Sequence, residues 1–240
     1  MFQYAFGRAN AKRLGAELAL ELSDKTLQIH NGFELDNIFD IQANIVTQTD
    51  MQAVLGWQRY RVIRNLIKGL GLGKILLSHY IEEPHFYFAP QMLLIPDNAY
   101  VCGYWQSEEY FREIATTIRT DFTFKQPLSN QNADLAEKIS RLNSVSLHVR
   151  RNDYATNQKI NATHGLCSME YYKEAIRYIV ERVERPNFFV FSDDIAWVKS
   201  NLEIGFPCEY VDHNQGAESY NDMRLMSLCQ HHIIANSSFS

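Results

Sequence analysis

The feature that most constrains the fold is a regular alternation of strand-length apolar runs with helical runs from residue 131 onward. Strands that alternate with helices are joined by right-handed crossovers and form a parallel sheet. The predicted order is helix 132–142, strand 144–150, helix 169–183 with Ser168 as its N-cap, strand 187–191, helix 195–202, strand 208–211, helix 220–229 and strand 231–235. A ligand of such a sheet lies beyond the carboxyl ends of its strands. This rule selects three stretches that follow strands, namely HVRRND, FSDD and ANSSFS.

The first half of the chain predicts a second α/β region with less regular spacing. Apolar residues at helical spacing predict a helix from residue 1 to a stop at Gly15, followed by a short strand at 17–22. Because a doubly wound domain normally begins with a strand, we expect a further strand upstream. The remaining predictions here are a helix over 49–70, a strand at 99–105 and a helix over 107–122 that begins at the N-cap Ser107.

A connection between two domains is predicted near residues 123–130, where a proline and polar side chains accumulate. A chain of 240 residues is long enough for two modest domains. We therefore predict domains at 1–126 and 127–240.

Charge and composition exclude several classes of protein. The formal net charge of −5, from 28 acidic and 23 basic residues, argues against broad nucleic-acid binding, which needs a basic face. The four cysteines lack zinc-site spacing and no third ligand accompanies His231 and His232, so no metal site is predicted. No apolar run reaches the roughly 18 residues of a membrane-spanning helix. We expect a soluble cytoplasmic protein, and peripheral association with a membrane stays open.

Charged side chains follow two of the predicted strands. Arg150 and Arg151 carry planar guanidinium groups suited to a phosphate or diphosphate, although two surface arginines paired with Asp153 would fit the spacing equally well. Asp193 and Asp194 precede a helix, so one of them is expected to be its N-cap. The alternative is that one of these carboxylates accepts two N–H bonds from the edge of guanine.

Three further side chains lie at or near strand ends. Ser237 and Ser238 follow the last strand, where their hydroxyls could contact phosphate oxygens or act as ordinary caps. His148 lies within its strand, and a hydrogen-bonded core histidine is the more common case there.

Two glycine-rich nucleotide-binding motifs are excluded. GLGLGK at 69–74 lacks phosphate-loop spacing and is interpreted as a helix terminus. No GxGxxG follows a strand, which argues against a dinucleotide oxidoreductase.

Seven stretches in order resemble the alpha-1,2-fucosyltransferase family, most closely its bacterial members. They are MFQYAFGRANA, FELDNIFDI, GYWQSEEYF, SLHVRRNDY, CSMEYYKEAI, FSDDIAW and HHIIANSSFS. In that family GGLGNQ usually precedes the first stretch and WWGAWL follows the last. Because both are absent, the resemblance implies a fragment that lacks both family ends.

The resemblance implies an inverting enzyme that transfers L-fucose from GDP-fucose to the 2-hydroxyl of a galactose-terminated glycan. It also implies that no metal or other cofactor is required. The implied architecture is GT-B-like, with two Rossmann-like parallel-sheet domains. Residues 1–126 would form the acceptor side and residues 127–240 the GDP-fucose-binding domain. The alternative is a catalytically inactive nucleotide-binding fragment.

The family's HxRR signature corresponds to His148, Arg150 and Arg151. The resemblance implies that Arg150 holds the diphosphate and is catalytic, and that Arg151 belongs to the same donor site. It implies a guanine contact for His148 with Asp193 or Asp194, and a phosphate contact for the Ser237–Ser238 pair. Asn152 stands where the family usually has glycine, and asparagine tolerates a left-handed backbone. No general base is assigned.

Overall fold

A computed structural model describes residues 1–22, 32–41, 44–151 and 165–240. It divides into two compact units, Met1–Pro127 and Leu128–Ser240. Asn152 and Asp153, considered above, lie outside the described residues. Within the described ranges, no helix is long and apolar enough to cross a membrane.

The first unit is organised around helix α1 (Phe2–Leu14). Gly15 ends this helix with a φ of 64°, a left-handed conformation that glycine adopts without steric cost. Phe6 of α1 is fully buried, stacks on Trp105 with ring centroids 3.9 Å apart, and meets Tyr110 edge-on at 5.2 Å. These rings form the centre of the unit's core, as the helical spacing of the first apolar residues predicts.

The remaining elements of the first unit are short. The described residues of this unit form two parallel strand pairs, β1 (Ala19–Leu20) with β2 (Asn44–Ile45) and β3 (Tyr80–Glu82) with β4 (Tyr100–Cys102). The helices are α2 (Leu35–Ile38), α3 (Gln48–Leu55), α4 (Arg61–Gly69), α5 (Gly73–Leu76) and α6 (Ala115–Asp121). Turns of 3-10 helix cover Gly56–Arg59, Pro90–Leu94, Glu108–Tyr110 and Arg112–Ile114.

Two helices predicted for this unit are wrong as continuous elements. The helix over 49–70 is broken at Gly56, whose φ of 51° and ψ of −124° leave the helical region. The helix over 107–122 is instead two 3-10 turns followed by α6, and Ser107 makes no side-chain capping bond. Tyr110 packs edge-on against Phe6 and Phe111 lies near Phe2, so both aromatic residues of this segment contact α1.

The second unit is built on one parallel sheet. Its strands are β5 (Ser144–Val149), β6 (Asn187–Ser192), β7 (Cys208–Val211) and β8 (His231–Ile233), in the order β7-β6-β5-β8. The helices are α7 (Asn130–Arg141), α8 (Met169–Val180), α9 (Ile195–Asn201) and α10 (Tyr220–Leu228), with a 3-10 turn at Gly216–Glu218. The α/β class and the parallel sheet predicted for this region are confirmed.

Helices cover both faces of this sheet. One face, which includes Val145, Leu147 and Val149 of β5, packs against α8 and α9. The opposite face, which includes Phe189 and Phe191 of β6, packs against α7 and α10. Because both faces are covered, every residue of β5 is buried, including the polar Ser144, Ser146 and His148 that alternate with its apolar residues.

The direction of winding reverses between β5 and β8. From β5 the chain passes through α8 to β6 and through α9 to β7, with both helices on one face. Helix α10 lies on the other face and returns the chain to β8, on the far side of β5. Ligands of open α/β sheets bind at such a reversal, beyond the carboxyl ends of the strands. The topology therefore places the candidate site where β5 ends.

Candidate functional site

A carboxylate at the end of β6 contacts two successive residues at the end of β5. Val149 lies opposite Ser192 in the parallel register, so the residues that follow both strands are neighbours. Arg150 Nε lies 3.2 Å from Asp193 Oδ2, and the backbone N–H of Arg151 donates to Asp193 Oδ1 at 2.8 Å. Asp193 therefore forms an ion pair with the guanidinium of one arginine and a hydrogen bond with the backbone of the next.

The second arginine lies over an aromatic ring of α9. The guanidinium carbon of Arg151 lies 3.5 Å from the ring centroid of Trp197, and its Nε is 3.9 Å from Asp194 Oδ2. Asp194 Oδ1 accepts a hydrogen bond from the backbone N–H of Trp197 at 3.1 Å, so Asp194 is the N-cap of α9. The capping role expected for one of the two aspartates thus belongs to Asp194.

Both arginines reach the solvent at this edge of the sheet. Their side chains are 26% exposed for Arg150 and 23% for Arg151, against 17% for Asp193 and 34% for Asp194. A partly exposed guanidinium in a fixed orientation can still contact an anionic ligand, and ordering it in advance removes much of the entropic cost of binding. The edge therefore presents two oriented cations.

His148 is buried beside this pair and is uncharged at neutral pH. Its side chain is 4% exposed, and its ring centroid is 5.5 Å from that of Phe239. Burial, reinforced by the positive charge of Arg150, lowers the pKa of His148 from 6.5 to about 4. Within the described ranges, Nδ1 of this ring has no hydrogen-bond partner. His148 therefore lies in the core, as expected, but among the described residues its Nδ1 does not make the hydrogen bond that was expected with it.

The segment after β8 packs against the start of α8. Asn236 Nδ2 donates to the carbonyl of Gly165 at 2.9 Å, and the hydroxyl of Tyr171 donates to the carbonyl of Ile234 at 2.6 Å. Ser237 Oγ accepts from the backbone N–H of Phe239 at 3.3 Å, and Ser238 is exposed. The two serines thus follow the strand that neighbours β5, and Ser237 makes the local turn bond expected of an ordinary cap.

A polar network at the end of β7 was missed by sequence reasoning. Asn214 Nδ2 donates to Asp222 Oδ1 at 2.7 Å and to Asn132 Oδ1 at 3.0 Å, and His213 Nε2 lies 2.8 Å from the same Asn132 oxygen. Burial raises the pKa of Asp222 from 3.8 to about 6. The strand-end rule would have found this network, because the polar stretch DHN directly follows the predicted strand at 208–211.

No cluster of three or more His, Cys, Asp or Glu side chains suited to a metal ion occurs in the part of the chain that the structure describes. Among the described residues, this edge offers a ligand the charged groups of the arginine and aspartate pairs.

Comparison with known proteins identifies the family. The model of glycosyl transferase family 11 matches residues 59–240, which include the whole sheet of the second unit and the arginine pair. The chain belongs to glycosyl transferase family 11. The family predicted from the ordered sequence stretches is confirmed. No solved structure matches this family 11 member.

Bacterial and primate proteins are similar to this family 11 chain. All of the chain aligns with the alpha-1,2-colitosyltransferase of Escherichia coli at 36% identity, covering 81% of that protein. All of it also aligns with the O-antigen biosynthesis glycosyltransferase WbnK of Escherichia coli at 33% identity, covering 84%. Galactoside alpha-(1,2)-fucosyltransferase 1 of Leontocebus fuscicollis is 25% identical over 57% of the chain and 40% of its own length.

Proposed function

We propose that this family 11 glycosyltransferase moves L-fucose from GDP-fucose to the 2-hydroxyl of a terminal galactoside, with inversion, in glycan or polysaccharide synthesis. The observation that carries the proposal is the arginine pair at the end of β5, each side chain near a carboxylate from the end of β6. A diphosphate is the anion that two oriented guanidinium groups suit best. The names of the relatives support the linkage and the class of sugar.

The chemistry of the transfer explains why a preorganised arginine is needed. The bond from the sugar's anomeric carbon to the diphosphate breaks while a bond to the acceptor's 2-oxygen forms, and the acceptor's proton passes to a base that we leave unassigned. Positive charge grows on the sugar and negative charge on the departing GDP, through an oxocarbenium-like state. We assign Arg150 to the leaving diphosphate. One such preorganised contact typically lowers a barrier by about 2.7–4 kcal/mol.

The other donor contacts follow from the geometry of the strand ends. In this proposal Arg151 and the Ser237–Ser238 pair contact the phosphates, while His148 and Asp194 contact the nucleoside. Because Asp193 already holds both arginine residues, we assign it a positioning role. The uncharged imidazole of His148 suits a nucleoside contact, since it does not compete with the arginines for the diphosphate.

We extend the proposal to the whole molecule. In a GT-B arrangement, residues 1–126 would contact the galactoside and residues 127–240 the GDP-sugar, in the cytoplasm and without a metal. Because no metal is required in this proposal, turnover should be unchanged after treatment with a chelator. Turnover that returns only on adding a divalent cation would contradict it.

The test is an assay of the purified chain with GDP-fucose and a β-galactoside. We expect a product in which fucose is α-linked to the 2-oxygen of galactose, as identified by NMR of the anomeric proton. Arg150→Ala should lower kcat/KM by about 10²–10³-fold. GDP binding in calorimetry without any transfer would favour an inactive nucleotide-binding protein instead.

Colitosyl transfer is the second candidate, because a colitosyltransferase aligns with the entire chain at 36% identity. Colitose lacks one ring hydroxyl of fucose. A site that hydrogen-bonds this hydroxyl would reject colitose by about 10⁴-fold or more, because its polar groups would be left unpaired. Measuring kcat/KM with GDP-fucose and GDP-colitose therefore separates the candidates. A higher value for GDP-colitose would replace fucose by colitose in the proposal and leave the role of Arg150 unchanged.

A further inference from the structure

Helix α4 turns an apolar stripe toward the solvent. Val62 is 81% exposed and Leu66 is 64% exposed, and Leu70, at the C-cap, is 65% exposed. The spacing of four residues places them along one side of the helix, and no residue of α4 is buried. We call Val62, Leu66 and Leu70 the outward stripe.

Two basic side chains of the same helix contact other residues of the unit. Arg64 places its guanidinium carbon 3.8 Å from the ring centroid of Tyr80 and donates to the carbonyl of Gln58 at 2.6 Å. Lys68 pairs with Glu82 of β3. A surface helix normally packs its apolar side inward and its charged side outward. In helix α4 the outward stripe faces the solvent instead, and Arg64 and Ile67 are the less exposed residues. Rotating the helix to bury the outward stripe would break the contacts of Arg64 and Lys68.

Further apolar and aromatic side chains extend the exposed surface along the chain. Trp57 and Tyr60, which precede α4, are 43% and 49% exposed. Leu72 and Leu76, which follow it, are 40% and 41% exposed. Indole and phenol rings favour the boundary between lipid and water, because each combines an apolar body with a polar group. An exposed surface of this extent indicates an interaction site rather than scattered apolar residues.

Charge complementarity points to the partner. Residues 51–81 contain five of the chain's 23 lysine and arginine residues and none of its 28 aspartate and glutamate residues, although one of the five, Lys68, pairs with Glu82 just beyond the segment. This segment is therefore basic in a chain whose net charge is −5. Two copies that met through this segment would bring like charges together. An anionic surface would instead be attracted to it.

We propose that the outward stripe, with the aromatic and leucine side chains beside it, lies in the interfacial layer of an anionic lipid bilayer. An amphipathic helix in this position buries its apolar side at the boundary of headgroups and acyl chains, while lysines and arginines meet the anionic headgroups. Arg59 and Arg61 are exposed beside the stripe and would make such contacts. The proposal is independent of the sugar that the protein transfers.

Co-sedimentation of the purified full chain with lipid vesicles tests the proposal. We expect binding to vesicles of equal parts phosphatidylglycerol and phosphatidylcholine, weaker binding at high salt, and little binding to phosphatidylcholine alone. The triple variant Val62→Gln, Leu66→Gln, Leu70→Gln should lose binding, by about tenfold for each apolar side chain removed. Glutamine keeps a high helix propensity, so Tm should not change.

Matched variants separate a specific surface from general stickiness. Phe86→Gln, Leu94→Gln and Leu228→Gln remove three exposed apolar side chains elsewhere and should leave vesicle binding unchanged. Arg59→Gln with Arg61→Gln should weaken binding, whereas Arg141→Gln with Arg177→Gln removes the same charge elsewhere and should not.

Absence of binding by the unaltered chain, or equal binding by the triple variant, would overturn the proposal. So would a chain that is dimeric in light scattering, becomes monomeric in the triple variant and never binds vesicles, because a second copy would then be the partner.

Discussion

At the scale of single residues, Asp193 decides how the arginine pair is presented. One of its oxygens lies 3.2 Å from Arg150 Nε, and the other accepts the backbone N–H of Arg151 at 2.8 Å. A carboxylate that holds a charged side chain and the adjacent backbone fixes both the direction of the guanidinium and the path of the chain. Asp194 instead caps a helix, and its distance to the nearest arginine nitrogen is 3.9 Å.

The same substitution at the two neighbours should therefore have different effects. Asp193→Asn removes the charge that orients Arg150, and a small misplacement of a catalytic group costs about 10²-fold in rate. We expect kcat/KM and GDP affinity to fall together, without a comparable loss in Tm. Asp194→Asn preserves the cap, because asparagine is an equally good N-cap, and leaves Arg150 in place, so kcat should be retained while the proposed nucleoside contact, and with it GDP affinity, weakens. Equal losses of kcat in the two variants would contradict the positioning role of Asp193.

Sequence reasoning identified Arg150 and Asp193 separately, but it did not pair them. Both were selected because they follow apolar strands, and this depends only on local pattern and the strand-end rule. Their contact depends on β5 and β6 being adjacent in a register that sets Val149 opposite Ser192. Register is a tertiary property, so the spacing of the residues left a pairing with Asp153 equally open.

At the scale of elements, prediction succeeded where an apolar pattern was long and failed where one backbone conformation decided the outcome. Helix α8 and strand β6 follow from their patterns, and Ser168 was correctly predicted to cap α8. The segment over 107–122 has an equally plausible cap and acidic first turn, but its aromatic side chains must reach the core of the first unit. Tertiary packing there overrode local preference.

The two predicted serine caps provide an internal comparison. Ser168 Oγ accepts from the backbone N–H of Tyr171 at 3.1 Å, whereas Ser107 makes no side-chain capping bond. We expect Ser168→Ala to lower the free energy of unfolding by about 1 kcal/mol, and Ser107→Ala to leave it nearly unchanged. Urea unfolding followed by far-UV circular dichroism measures both. A Ser107→Ala loss as large as that of Ser168→Ala would mean that a regular helix does begin at residue 108.

At the scale of the whole molecule, two titratable groups of the second unit, one buried and one partly buried, give stability opposite dependences on pH. The pKa of His148 is lowered to about 4 in the folded state, from 6.5. Between these values the unfolded chain binds more protons, so this residue makes stability rise with pH. The pKa of Asp222 is raised to about 6, from 3.8. Over that range the folded chain binds more protons, so this residue makes stability fall as pH rises.

The pH ranges over which His148 and Asp222 change the stability overlap between about pH 4 and 6. Their effects on stability offset each other there, so each effect becomes visible when the other residue is substituted. Relative to the unaltered chain, Asp222→Asn should gain stability as pH rises from 4 to 7, because the variant has no carboxyl group to ionise in this partly buried position. Its amide oxygen can still accept the hydrogen bond from Asn214. His148→Gln should show the reverse slope, with its relative stability greatest in acid. Urea unfolding of the three proteins at several pH values measures both slopes. A loss of packing that does not depend on pH shifts the whole curve of unfolding free energy against pH and leaves its slope unchanged. The sign of each slope therefore decides the test. Parallel curves for Asp222→Asn and the unaltered chain would show that Asp222 titrates in the folded protein as it does in the unfolded chain.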